Sequence, residues 1–419
     1  MTQGDKGSFF KQSGWLLIGT GMGGVFMYAV HIFAGRIQPA EYGVFVTLLQ
    51  ILNLMGIPAI GLQTVFAHQT ASAITEQRRH QLTATIRGVL LGITVVWAIT
   101  AAGILMFQQP ILAALKISNP AALWATLVVA LALMWHPVGL GLLQGKQSFM
   151  WLGWTYIANG LGRLIPVMLV VLVFGGHAAG SMVGVLIGVL AAVVIGLGQS
   201  RDLWTGPTEP FDWRGWFTRV VPLTLGLGVG MFMLGADMIV VQSTFDKDLT
   251  GAYGAAGMIG RGLVFFTVPL TAVMFPKVVQ SAARSEKTDV LAQALGATAV
   301  MGGLAAIACT LLPELPLRIV YSTKYLDVAP LVRWFAWCML PLTLANVLIN
   351  NLLARQQFAV VPWLVLVAIG YGVALNHFNT SFESVVKTLG IFNLLLVAVS
   401  AWFTWGRPHR IAAVPSPGA

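Results

Sequence analysis

The stretch GWLLIGTGMGGVFMYAVHIFA, residues 14–34, runs for 21 residues without an Asp, Glu, Lys or Arg. As a helix it would extend about 30 Å, the thickness of a bilayer's hydrocarbon core. It is longer than the roughly 7–15 residues of a signal-peptide core. A second apolar run follows almost at once, from Tyr42. The stretch therefore reads as an uncleaved first membrane helix. Its glycines Gly19, Gly21, Gly23 and Gly24 have no strand before them. They fit close helix packing through small residues better than a phosphate loop.

The rest of the chain repeats this pattern. Of 419 residues, 57% are hydrophobic and 9% charged, against roughly 25% charged in a soluble domain. Mean hydropathy is +0.81, with 46 Gly and 14 Trp. These figures exclude a water-soluble globule, a disordered chain, a collagen and a coiled coil. Taking about 20 apolar residues per crossing, spans are expected near 13–35, 42–66, 86–108, 121–144, 150–174 and 178–199. Six more are expected near 217–243, 252–276, 289–312, 328–353, 359–376 and 387–405. The expected fold class is an all-α polytopic membrane protein of about 12 transmembrane helices.

Lys and Arg total 24 against 14 Asp and Glu, a net charge of +10. Fifteen of the cations fall on the side of the spans that carries both termini, six on the other, and three, Arg163, Arg261 and Arg333, inside spans. That asymmetry reads as positive-inside topology, with both termini cytoplasmic, and not as a nucleic-acid-binding face. Cys309 and Cys338 lie in apolar stretches without metal spacing and read as buried thiols.

The segment Gln199 to Arg219 mixes Trp204, Pro207, Pro210, Trp213 and Trp216 with Arg201, Arg214 and Arg219. It suits a headgroup-level linker between two six-helix lobes, residues 1–205 and 206–419. An offset of 211 relates the halves: Tyr42-Gly43 returns as Tyr253-Gly254, Pro58 as Pro269, and Gln69-Thr70-Ala71 as Gln280-Ser281-Ala282. Such a repeat implies parallel lobes about an axis along the membrane normal.

There is no Walker A, HExxH, GxSxG or external DxD motif, so no catalytic residue, cofactor or metal is expected. Asp246-Lys247-Asp248 lacks the spacing of an EF-hand and reads as a solvated hairpin. The informative residues are ionisable groups at membrane depth, which are costly to insert and usually face a bundle interior or an aqueous cavity. Arg163 is mid-span, with Asn159 one turn earlier on the same face. Arg261 lies about ten residues into its span, and Asp237 is the one acidic residue at such depth. The last two sit on adjacent spans and are expected to pair, or Asp237 carries a proton or cation. Arg36, beside Glu41, reads as an interfacial anchor or salt bridge, and Arg333 as a snorkelling residue near the external end. Tyr28, His31, Asn53, Gln63, Asn346, Asn350 and Asn351 add weaker polar signals at depth. Three arginines against one carboxylate imply a positive cavity that favours an anion. Arginine forks suit phosphate oxygens.

Phe33-Ala-Gly-Arg-Ile-Gln-Pro-Ala-Glu-Tyr-Gly-Val-Phe45 resembles the R-x-L-x-P-x-E-Y-G stretch of oligosaccharide flippases of the polysaccharide transporter family. These belong to the multidrug/oligosaccharidyl-lipid/polysaccharide exporter superfamily. The Tyr253-Gly254 echo and Pro341-Leu-Thr-Leu-Ala-Asn-Val-Leu-Ile-Asn-Asn-Leu-Leu-Ala354 are similar to further family patterns. The resemblance implies a MATE-like pair of six-helix bundles in the cytoplasmic membrane, working by alternating access. It also implies translocation of polyprenyl-diphosphate-linked oligosaccharide, with membrane lipid around the chain and H+ or Na+ coupling. By position, Arg163 and Arg261 match the cavity arginines that hold the diphosphate, with Arg36 and Arg333 at its external mouth. At 419 residues the chain is short for the family. A drug/cation antiporter of the same superfamily would call for an acidic cavity. A membrane-embedded saccharide polymerase or ligase would call for a large external loop.

Overall fold

The computed structural model describes residues 3–264 and 290–406. Those residues are helical throughout, with short connections. In chain order the helices are α1 (Gln3–Ala34), α2 (Pro39–Met55), α3 (Ile57–Ser72), α4 (Glu76–Met106), α5 (Gln108–Ala114), α6 (Pro120–Gly145), α7 (Phe149–Val173) and α8 (Ala178–Gly198). After the short α9 (Arg201–Trp204) and α10 (Trp213–Thr244) comes α11, described over 247–264. The chain continues through α12 (Val290–Leu311), α13 (Glu314–Tyr321), α14 (Ala329–Ala354), α15 (Val361–His377) and α16 (Phe382–Ala401). Among the described residues, nine helices are long and apolar enough to cross a membrane.

The expected second span is not one rod. It breaks at Gly56 into α2 and α3, with Pro58 in the first turn of α3, where a missing N–H costs nothing. The expected span at 252–276 is described only to residue 264, and Pro269 and Gln280–Ala282 lie outside the described residues.

Glycine sets the packing of the first lobe. A Cβ at Gly23 would stand 2.6 Å from the Tyr156 carbonyl oxygen, and one at Gly160 2.5 Å from that of Gly23, so α1 and α7 touch backbone to backbone. Gly21 and Gly24 face open space, so the glycine-rich run is a packing stripe on one face only.

α10 has contacts on two sides. Cβ atoms at Gly228 and Gly235 would run into Ile57 and Gln50 of the first half, and at Gly226 and Gly230 into Leu353 and Asn346 of the second. Its start is anchored by aromatic stacking among Phe211, Trp213, Trp216 and Phe217. The connection between the halves is docked to the first one. Arg87 donates to the carbonyls of Trp204 (2.7 Å) and Gly206 (3.0 Å), and Lys146 pairs with Asp202 at 2.7 Å.

That connection defines one end of the bundle, the linker end. The opposite end gathers the turns after α1, α5, α10 and α13.

Candidate functional site between the halves

Arg261 and Asp237 form a buried ion pair, Nη2 to Oδ2 at 2.6 Å, with side-chain exposures of 1% and 0%. The sequence places both at depth, and the packing of α11 against α10 brings them together. Arg261 Nε donates to the Leu234 carbonyl at 2.7 Å, and its guanidinium stands 5.7 Å from the Phe335 ring centre. Gly257, one turn before Arg261, leaves the space that Nη1 occupies; a Cβ there would lie 2.5 Å from it. The Tyr253 hydroxyl donates to Asp237 Oδ2 at 2.7 Å. One oxygen, Asp237 Oδ1, and one nitrogen, Arg261 Nη1, are buried without a hydrogen-bond partner among the described residues.

The cluster reaches the first half of the chain. Gly262 faces the Tyr28 ring, 3.6 Å from where its Cβ would be, and His31 is an electrostatic neighbour of Arg261. His31 Nδ1 lies 3.0 Å from the Tyr42 hydroxyl, which lies 2.7 Å from that of Tyr321 in the other half. The repeat positions Tyr42 and Tyr253 are both fully buried, and each hydroxyl meets an ionisable side chain from the preceding long helix, α1 or α10.

At the end opposite the linker, the halves are tied by two lysines. Lys116, after α5, donates to the Phe245 carbonyl at the end of α10. Lys324, after α13, donates to the carbonyls of Gly35 and Ile37 at the end of α1. The arrangement is reciprocal, since each half sends an ammonium to the carboxyl-terminal end of the other half's first helix, where free carbonyls and the helix dipole favour a cation. Partial burial pushes the Lys324 ammonium's pKa down by desolvation. Beside the lysines, Gln242 donates to the Leu115 carbonyl at 2.9 Å, and Thr47 to Gln242 Oε1 at 3.3 Å. Gly43 leaves room for Thr250 and Gly251 leaves room for the Pro39 backbone. This end is closed.

Arg163 lies elsewhere. It is 9% exposed on α7, facing Gly188 of α8, and its Nε donates to Asn159 Oδ1 at 2.9 Å. The expected i, i+4 pairing is present. No contact joins Arg163 to Arg261 among the described residues. Arg36 is exposed and stands 5.4 Å from the Phe33 ring centre. The salt bridge considered between Arg36 and Glu41 is absent among the described ion pairs. Glu41 instead accepts from the Ser118 hydroxyl (2.5 Å) and the Ala178 amide (2.8 Å), capping the start of α8. Arg333 is exposed on the second turn of α14. Cys309 is buried, while Cys338, expected to be buried, is partly exposed. Sequence reasoning counted Lys116 and Lys324 as loop charges and missed their cross-half role, which depends on non-local contacts. The Tyr42/Tyr253 echo was one signal that led toward this region.

No family model matches the chain, and no curated protein matches it. Solved structures do. An inward-facing multidrug resistance MATE family transporter of the MOP superfamily aligns with a TM-score of 0.70 at 11% identity, over 95% of this chain and 96% of its own. The lipid II flippase MurJ in an inward closed conformation aligns at 0.71 and 13% identity, over 94% and 87%. An outward-facing MATE transporter of the same superfamily aligns less well, at 0.60 and 12% identity over 95% and 94%. The chain thus has the all-helical, multi-pass membrane fold shared by MATE transporters and the MurJ flippase.

Proposed function

We propose that the chain is a flippase or exporter that moves a polyprenyl-diphosphate-linked oligosaccharide across the cytoplasmic membrane by alternating access. One observation carries this reading: among the described residues two arginines, Arg163 and Arg261, are buried and one carboxylate, Asp237, is. The interior is therefore net positive, which favours an anionic headgroup and disfavours the cationic drugs of an antiporter. Arg261 is the headgroup contact at the junction of the halves. Arg36 and Arg333 lie toward the outer rim, and Arg163 with Asn159 lies apart on α7. Releasing Arg261 to a diphosphate requires Asp237 to be neutralised by a proton or by a cation such as Na+, and its unpartnered Oδ1 is available for either. The name of one similar fold, a lipid II flippase, agrees with this substrate class.

The charge asymmetry puts the termini and the linker end in the cytoplasm and the lysine-tied end outside. A cysteine at Asp246, an exposed position between α10 and α11, should react with a membrane-impermeant maleimide in intact cells. Reaction only after permeabilisation would invert the topology. For transport, the purified full chain in proteoliposomes should flip a fluorescent polyprenyl-diphosphate sugar and leave ethidium unmoved. Arg261→Ala should lose at least tenfold of the flipping rate, and Arg261→Lys should retain part of it because the charge remains while the fork is gone. Ethidium transport without lipid flipping would favour the antiporter.

A further inference from the structure

Among the described residues Arg163 has no counter-charge. The first half of the sequence holds four carboxylates, Asp5, Glu41, Glu76 and Asp202, and none belongs to α6, α7 or α8. Glu41 is engaged by Ser118 and Ala178, and Asp202 by Lys146 and Arg79. Arg163 is 10 residues from Val173, the nearer end of its helix. That is about 15 Å, twice the reach of its side chain. It therefore cannot snorkel to either interface, yet Asn159 satisfies only its Nε. The two terminal nitrogens have no hydrogen-bond partner among the described residues.

A second group adjoins it. His136 of α6 is 8% exposed, its Nε2 is buried without a partner, and it is an electrostatic neighbour of Arg163. An imidazole protonated on Nε2 is a donor there. The guanidinium and the imidazole stand together with no carboxylate partner among the described residues, the His136 Nε2 buried and the end of Arg163 still reachable at 9% exposure.

We propose that Arg163, held by Asn159 and flanked by His136, binds a small monovalent inorganic anion of halide size within the first lobe. One bare positive charge matches one negative charge, whereas a diphosphate brings at least two. Space decides the same way. Gly188 presses on the Arg163 stem, where a Cβ would stand 2.5 Å from Cγ, and Gly162 and Gly188 bring α7 and α8 to 2.8 Å of a Cβ contact. A sugar-bearing diphosphate with a prenyl tail does not fit behind so tight a crossing. The anion lowers the cost of burying the guanidinium, so it stabilises the folded chain by mass action. This site is separate from the Arg261 contact and does not depend on the flippase reading.

The test uses the purified full chain in detergent, titrated with sodium bromide against sodium gluconate at constant ionic strength. The thermal unfolding midpoint of the wild type should rise with bromide and saturate. Arg163→Gln, which removes the buried charge without enlarging the side chain, should fold and show no bromide response. Arg163→Lys should keep a weakened response. His136→Phe should raise the half-saturating bromide concentration about tenfold, the usual value of one hydrogen bond to a charged group. A wild type indifferent to bromide, or an equal response in Arg163→Gln, overturns the site. Stabilisation by inorganic pyrophosphate and not by bromide also overturns it and assigns Arg163 to a diphosphate headgroup. Failure of lipid flipping in the wild type, with the bromide response present, would count against the flippase reading alone.

Discussion

Asp237→Asn is expected to destabilise the protein by about 3–5 kcal/mol, because removing one partner of a buried ion pair strands the other charge. Arg261 would then sit 1% exposed with only the Leu234 carbonyl, the Phe335 ring and a neutral amide around it. Membrane yield should fall, and the thermal midpoint of the little that inserts should drop. The double variant Asp237→Asn/Arg261→Gln should recover most of both, since a neutral hydrogen-bonded pair costs far less to bury than an unpaired cation. If Asp237 also carries the coupling proton or cation, the inserted fraction of the single Asp237→Asn variant, with Arg261 still in place, should lose any dependence of lipid flipping on the ion gradient. A single Asp237→Asn variant as stable as wild type would show that the pair is not what holds α10 to α11.

The second large effect belongs to the lysine-tied end. Each ammonium-to-carbonyl bond is worth about 1.5–3 kcal/mol, and the two act across the same separation. Lys116→Ala/Lys324→Ala should therefore shift the open-to-closed ratio of that end by on the order of hundredfold or more, with protein yield close to normal. The readout is a cysteine at Thr250, which is fully buried in the closed arrangement. It is introduced into a chain whose Cys309 and Cys338 are replaced by alanine. Impermeant maleimide should label it slowly with both lysines present and at least tenfold faster with both absent. Either single variant should fall between. Unchanged labelling in the double variant would mean that the tyrosine and glycine contacts close this end unaided.

How much of this was legible beforehand depended on the range of the interaction. Membrane helices announce themselves locally, because an apolar run such as 14–34 has few other stable environments. The break at Gly56 was marked by Pro58, yet a hydropathy count merges α2 and α3 because both are apolar. The Asp237–Arg261 pair was readable because two opposite charges at depth on adjacent spans have few other partners. Glu41 misled: its neighbour Arg36 is close in sequence, while the helix start it caps lies 137 residues away. Lys116 and Lys324 could not be told from ordinary loop cations, since their targets are backbone carbonyls, which every sequence supplies.

The glycines of α10 bear on how the two halves can move. Four of them, Gly226, Gly228, Gly230 and Gly235, are turned toward one half or the other, and together they cost roughly 2–4 kcal/mol of intrinsic helix stability relative to alanine. A helix face without side chains has no knobs to seat in a neighbour's holes. Neither the angle nor the height of the partner is fixed by ridges and grooves there. The barrier to sliding or tilting across such a face is correspondingly low, much as a smooth shaft turns where a toothed one would lock. α10 is thus the element on which both halves rest, and a side chain larger than hydrogen at Gly228 or Gly230 would push Ile57 or Asn346 away and part that seam.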